Sequence, residues 1–265
     1  MKTNNYFKEL KVAKALAYKA GKIMWKYFDT DQQVKQKEDN SPVTIADTLI
    51  NEMVIKELSK AFPKDGIIGE EKSTSDYGMG RKWFCDPIDG TAGYIWGTPT
   101  AMFSLALVVD GQPVLGVTYD PFLDRLYEGV VGQGSFWNGK KLQVNDEGLE
   151  GGRLAVSGSI ALLYELPYLP EFRKKGVKFA GFSGAVYKSC LVAKGKFVGY
   201  VEHGVNAHDL AAIHVIVEEA GGKVTGVKGE RLDYSKPFKG GVVSNSKVHQ
   251  ELLDTISKFP TLRKF

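Results

Sequence analysis

The sequence predicts an α/β protein (α+β in the order of its parts), with helices packed on sheets in two halves, residues 1–150 and 151–265. Three observations carry this prediction. The amino end holds two long helical patterns, the middle holds a run of short strands joined by tight loops, and the chain beyond Gly151 alternates strand with helix. With 265 residues, 43% hydrophobic and 25% charged, the chain is long enough to bury one large layered core or two smaller ones.

The elements follow in order. Apolar side chains at 6, 7, 10, 13, 16, 17, 20, 23, 24, 27 and 28 recur at spacings of three and four, which marks one face of a first helix. The polar stretch from Asp29 to Ser41 breaks the pattern. It resumes in TIADTLINEMVIKELSKAF, with Thr44 and Asp47 placed as a capping box and Pro63 as the stop. After IIG at 67 to 69, the segments KWFC, MFSLALVV, VLGVTY, RLYEGVV, GSFW and KLQV read as successive strands, the last two joined by the turn Asn138-Gly139. Beyond Gly151 come a strand near 153 to 157, a helix at 184 to 194, the strand KFVGYVE, the helix DLAAIHVIVEEA closed by Gly221-Gly222, a strand, and a last helix from about 246.

Composition narrows the function classes. The 35 basic and 31 acidic residues are interspersed, so the net charge of +4 forms no stripe for nucleic acid. No apolar run approaches the roughly 20 residues of a bilayer span, and the amino end lacks a signal-peptide core. The expectation is a cytoplasmic protein with neither a nucleic-acid nor a membrane partner. Cys85 and Cys190 have no CxxC spacing and read as two buried thiols, and the four histidines show no zinc pattern. A serine nucleophile is disfavoured as well, because GFSGA fails the G-x-S-x-G elbow at Ala185.

The stretch WFCDPIDGTAGYIWG at 83 to 97 concentrates the chemistry. Side chains three apart on a strand point to opposite faces, so Asp86 and Asp89 converge only if the chain turns between them. Pro87 and Gly90 supply residues for such a turn, and Gly90 with Thr91 offers backbone N–H groups to a phosphate. Two convergent carboxylates repel unless a proton or a cation lies between them, and Mg²⁺ is the common cation where phosphate is present. Aspartyl-phosphate phosphatases place their D-x-D-G-T carboxylates two apart on one face, which argues against a covalent aspartate here. Alone, DPIDGT reads equally as a plain turn.

Taken with GEE at 69 to 71, HDLAAIHVIVEEAGG at 208 to 222, SPVTIADTLINE and GQGSFWNGKKLQV, the stretch resembles the inositol monophosphatase family of Mg²⁺-dependent, lithium-sensitive phosphatases, over most of the chain and in that family's order. The resemblance implies a layered αβαβα sandwich of the inositol monophosphatase and fructose-1,6-bisphosphatase type, two to three Mg²⁺ ions and a homodimeric state. Residue by residue it implies that Glu70, Asp86 and the carbonyl of Ile88 bind one metal. Asp86, Asp89 and Asp209 bind a second, and Glu70 helps with a weaker third. A metal-bound water would attack phosphorus directly, activated by Thr91 with Asp47, while Gly90 and Thr91 cradle the phosphate. Glu71 is expected behind Glu70, and His208 stands where the family usually has tryptophan.

The resemblance also implies a substrate site of Asp89, Ser183, Gly184, Ala185 and Glu202, with Glu202 accepting hydroxyls of a polyol. A small phosphorylated metabolite is the expected partner, inositol monophosphate first. Ala92-Gly93 departs from the commoner residues after DGT, so histidinol phosphate, fructose 1,6-bisphosphate and 3'-phosphoadenosine 5'-phosphate stay open. A non-catalytic phosphate-ligand-binding protein on the same scaffold is the remote alternative.

Overall fold

A computed structural model describes residues 5–38, 40–158 and 166–259. Helices α1 (Phe7–Tyr27) and α2 (Ile45–Ala61) flank a small hairpin of β1 (Lys35–Gln36) and β2 (Pro42–Val43). Then come β3 (Gly66–Gly69), β4 (Arg81–Asp89), the short helix α3 (Thr91–Ile95), β5 (Met102–Val109), β6 (Gln112–Asp120), β7 (Arg125–Val130), β8 (Gly134–Trp137) and β9 (Lys140–Lys141). The second half holds β10 (Arg153–Ser157), α4 (Leu169–Lys174), β11 (Lys178–Phe182), α5 (Ala185–Ala193), β12 (Gly199–Glu202), α6 (Ala207–Glu218), β13 (Gly222–Thr225), β14 (Gly241–Asn245) and α7 (His249–Ile256).

Strands β3 to β9 form a seven-stranded sheet in sequence order, antiparallel except for the parallel pair β3 and β4. A five-stranded sheet has the order β11-β10-β12-β14-β13, with β10 parallel to both of its neighbours. Side-chain alternation sorts the layers. On β5, Phe103, Leu105 and Leu107 pack against α1 and α2, while Met102, Ala106 and Val108 face α5 and α6. The inner cluster continues from α5 and α6 to Ala155, Tyr200, Val224 and Val243 of the smaller sheet. Its other face, through Leu154, Val201 and Val242, packs on α4 and α7. The result is helix, sheet, helix, sheet, helix, which is the αβαβα sandwich.

Several elements differ from the sequence expectation. The hairpin β1-β2 lies inside the polar stretch, where pairs this short carry no periodicity. The predicted strand KLQV contributes only its start, as Lys140–Lys141. KFVGYVE is strand only from Gly199. The last helix starts at His249 because Asn245 first accepts the N–H of Val248 in a turn, at 3.0 Å. Strand β11 has mostly half-buried or exposed side chains at the sheet edge, so the apolar pattern that betrays a strand is missing. Cys85 and Cys190 are free and buried, and among the described residues no helix is long and apolar enough to cross a membrane.

Candidate metal centre and substrate cavity

The aspartates of DPIDGT meet through a bulge within β4 rather than through a turn between them. Asp86 pairs with Ser104 and Asp89 with Met102, so three steps on β4 answer two on β5. Trp83, Cys85 and Ile88 thereby face the outer helices, while Phe84 faces the inner layer. The extra residue returns Asp89 to the inner side, beside Asp86. Gly90 then takes a left-handed conformation, φ 86°, as the cap of α3.

Asp209 arrives from the third turn position of α6, where its Oδ2 accepts the N–H of Asn206 at 2.6 Å in a capping box. Oxygens of Asp86, Asp89 and Asp209 all lie within 4.8 Å of one another. Asp86 and Asp89 are almost wholly buried. Burial, then the charge of Glu70, Asp89 and Asp209, pushes Asp86 well above the carboxylate range. Burial and Asp209 raise Asp89 to about 7, against the N–H groups that hold it. Three carboxylates crowded in this way favour a bound cation, and Oδ1 of Asp86 is buried without a hydrogen-bond partner. An all-oxygen donor set with an orphaned oxygen fits a hard divalent cation.

Other expected residues lie differently. Glu70 is outside the group of three, and its Oε1 takes the ammonium of Lys37 at 2.7 Å. The same ammonium reaches Glu71 at 2.5 Å, and its two acidic partners raise the pKa of Lys37 over the lowering effect of burial. The carbonyl of Ile88 accepts the hydroxyl of Thr91 at 3.0 Å. Asp47 is joined to Thr44 and not hydrogen-bonded to Thr91: its Oδ2 accepts the N–H of Thr44 at 2.7 Å and the Thr44 hydroxyl at 2.6 Å. Its Oδ1 is buried without a partner, and burial raises Asp47 to about 7. His208 sits 3.8 Å from Oδ1 of Asp209.

A cavity of about 580 Å³ opens beside the carboxylates, with Asp89, Asp209, Ser183, Gly184, Ala185 and Glu202 in its wall. Its floor is tied to β4, because Asp89 accepts the N–H groups of Ala185 and Val186, each at 2.8 Å, at the start of α5. The N–H of Ala185 is therefore engaged by Asp89 and does not face a substrate. Gly93, the departure noted after DGT, has a packing reason. A Cβ there would stand 2.8 Å from Cβ of Ser183, so α3 approaches the 183–184 loop only with glycine at this position.

Among the residues of this cavity that sequence reading passed over are Lys188, Lys239 and Trp96. Lys188 had a signal, since it is the one charged residue in the helix AVYKSCLVA, seven of whose nine residues are buried. Lys37 had none, because a lysine in a polar stretch reads as solvated.

A family model described as the inositol monophosphatase family matches residues 7–260. Among similar proteins, a histidinol-phosphatase of Chlorobaculum parvum is 37% identical over 81% of this chain and 84% of its own. A fructose-1,6-bisphosphatase/inositol-1-monophosphatase of Aquifex aeolicus is 31% identical, over 96% and 97%. Inositol monophosphatase 1 of Xenopus laevis is 32% identical, over 84% and 83%. Among solved structures, the Thermotoga maritima IMPase superposes with a TM-score of 0.85 at 27% identity, covering 94% of this chain and 97% of that one.

Proposed function

Since the chain belongs to the inositol monophosphatase family and is a phosphomonoesterase, we propose that it hydrolyses a small polyol or sugar phosphate with Mg²⁺, using two to three ions. The observation that carries this reading is the convergence of buried Asp86 and Asp89 with half-buried Asp209 at the edge of the 580 Å³ cavity. When bound, the ions lower the pKa of water, neutralise the phosphate and stabilise the departing alkoxide. Asp86, Asp89 and Asp209 would hold them, with Glu70 available once Lys37 lets go and the Ile88 carbonyl keeping a second lone pair.

The chain's own residues do the rest. Gly90 and Thr91 offer backbone N–H groups to the phosphate at the start of α3. Thr91 keeps its hydroxyl fixed on Ile88, and the free Oδ1 of Asp47 is available to accept a proton from water in the site. In the cavity, Ser183, Gly184 and Glu202 face the alcohol part of the ester. Inositol monophosphate suits a carboxylate that accepts vicinal hydroxyls. Relatives named for histidinol phosphate and fructose 1,6-bisphosphate keep those substrates in view. We extend the reading to a cytoplasmic homodimer inhibited by lithium. The test is phosphate release with Mg²⁺ from inositol 1-phosphate, histidinol phosphate, fructose 1,6-bisphosphate and 3'-phosphoadenosine 5'-phosphate. Turnover that a chelator abolishes supports the reading, and no release from any of the four overturns it.

A further inference from the structure

Lys188 is only 3% exposed, yet it lines the cavity. Its ammonium lies 4.4 Å from the centre of the Tyr200 ring, and among the described residues it has neither a hydrogen bond nor an ion pair. Burial lowers its pKa, against the opposing charges of Glu202, Asp89 and Asp209, none of which closes to ion-pair distance. A buried cation without a hydrogen-bonded or ionic partner is costly to keep, and the cavity is the side from which such a partner can come.

The neighbouring carboxylates are committed elsewhere. Asp89 is held by two backbone N–H groups, and Asp209 by Asn206. Both belong to the proposed metal centre. Glu202 accepts from the N–H of His203 at 3.2 Å and the hydroxyl of Tyr200 at 3.4 Å. With the metal ligands matched by their ions, the remaining charged groups of the cavity are Glu202 against Lys188 and the exposed Lys239. That balance is positive. It favours an anionic leaving group over a neutral one, and disfavours a cationic one.

We propose that Lys188 is a specificity-determining residue that binds a second anionic group, a phosphate or a carboxylate, on the alcohol part of the ester, with Lys239 assisting from the rim. This rests on the phosphatase reading and narrows its substrate class. The second anion gives the ammonium the charged hydrogen-bond partner that the fold withholds.

Matched substrates test it. With Mg²⁺, kcat/KM is compared for fructose 1,6-bisphosphate against fructose 1-phosphate, and for 2-phosphoglycerate against glycerol 2-phosphate. At least a tenfold preference for the more anionic member is expected in one pair, and the pair that shows it identifies phosphate or carboxylate. Lys188→Met should reduce that preference to about threefold or less, chiefly through KM. Lys239→Met, on the exposed rim, should reduce it by a smaller factor and serves if Lys188→Met does not fold. Release without discrimination in either pair overturns the inference alone, as does a preference that survives Lys188→Met in a folded protein. No release from these four, while inositol 1-phosphate or histidinol phosphate is hydrolysed, also overturns the inference alone; no release from any of these phosphate esters overturns the phosphatase reading and this inference with it.

Discussion

The carboxylate of Asp89, at the end of β4, accepts the backbone N–H of Ala185, the first residue of α5, at 2.8 Å. One bond thus joins the proposed metal centre to the wall of the neighbouring cavity, across 96 residues of chain. Asp89 combines a place in the acidic cluster with a brace's position.

That double role separates Asp89 from Asp86 in mutants. Either Asp86→Asn or Asp89→Asn is expected to lower kcat about a thousandfold or more, since metal-assisted hydrolysis loses its ions. In the metal-free protein Asp86→Asn should raise the thermal midpoint, because it removes an acid that folding must either protonate or bury charged beside three other acids. Thermal melts in chelator check this, and a lowered midpoint for Asp86→Asn would count against the crowding argument.

The pH dependence of the metal-free protein has a definite sign. Burial raises Asp47 and Asp89 to about 7, above their ordinary value near 4. For a group raised on folding, the stabilising contribution is whole below the unfolded pKa and is lost as pH rises through the folded one. The midpoint in chelator should therefore fall between pH 5 and 8. Added Mg²⁺ should restore most at pH 8, where the carboxylates are charged. A midpoint in chelator that climbs over this range would contradict the assignment.

Lys37 holds Glu70 and Glu71 together with its ammonium. A divalent ion at Glu70 has to displace that ammonium. Lys37→Met is expected to lower the Mg²⁺ concentration for half-maximal rate several-fold, read from rate against Mg²⁺ titrations at saturating substrate. An unchanged or higher requirement would show that Lys37 does not compete with the metal.

Gly93 spaces α3 from the 183–184 loop. Gly93→Ala places a methyl 2.8 Å from Cβ of Ser183 and 2.7 Å from Oγ1 of Thr98. Overpacking of this kind costs about 1–3 kcal/mol. The expected outcome is a destabilisation of that order in urea melts, with KM raised more than kcat is lowered. Equal stability and kinetics would mean that the loop yields freely.

Capping is the cheapest place to loosen Asp47. Thr44 contributes both its N–H and its hydroxyl to that carboxylate. Thr44→Ala should cost about 1 kcal/mol of stability through the lost cap and lower kcat by freeing Asp47 to rotate. Denaturant melts and initial rates measure the two effects separately.

Much of this protein was legible in one dimension. The spacing of apolar residues located α1, α2, α5 and α6 and the central strands, because each of these elements is long enough to show its period. The acidic motifs placed Asp86, Asp89 and Asp209 in order along the chain, and the Thr44–Asp47 capping box was readable within four consecutive positions. Only the tertiary structure decided how they meet. A bulge in β4, invisible to a two-residue period, turns Asp89 back beside Asp86. Long-range packing gives Lys37 to Glu70, engages Ala185 with Asp89, explains Gly93 by its contact with Ser183, and leaves Lys188 buried and facing the cavity. Periodicity is a property of neighbours along the chain, whereas charge pairing and close approach depend on residues far apart in it, 33 positions for Lys37 and Glu70 and 96 for Asp89 and Ala185.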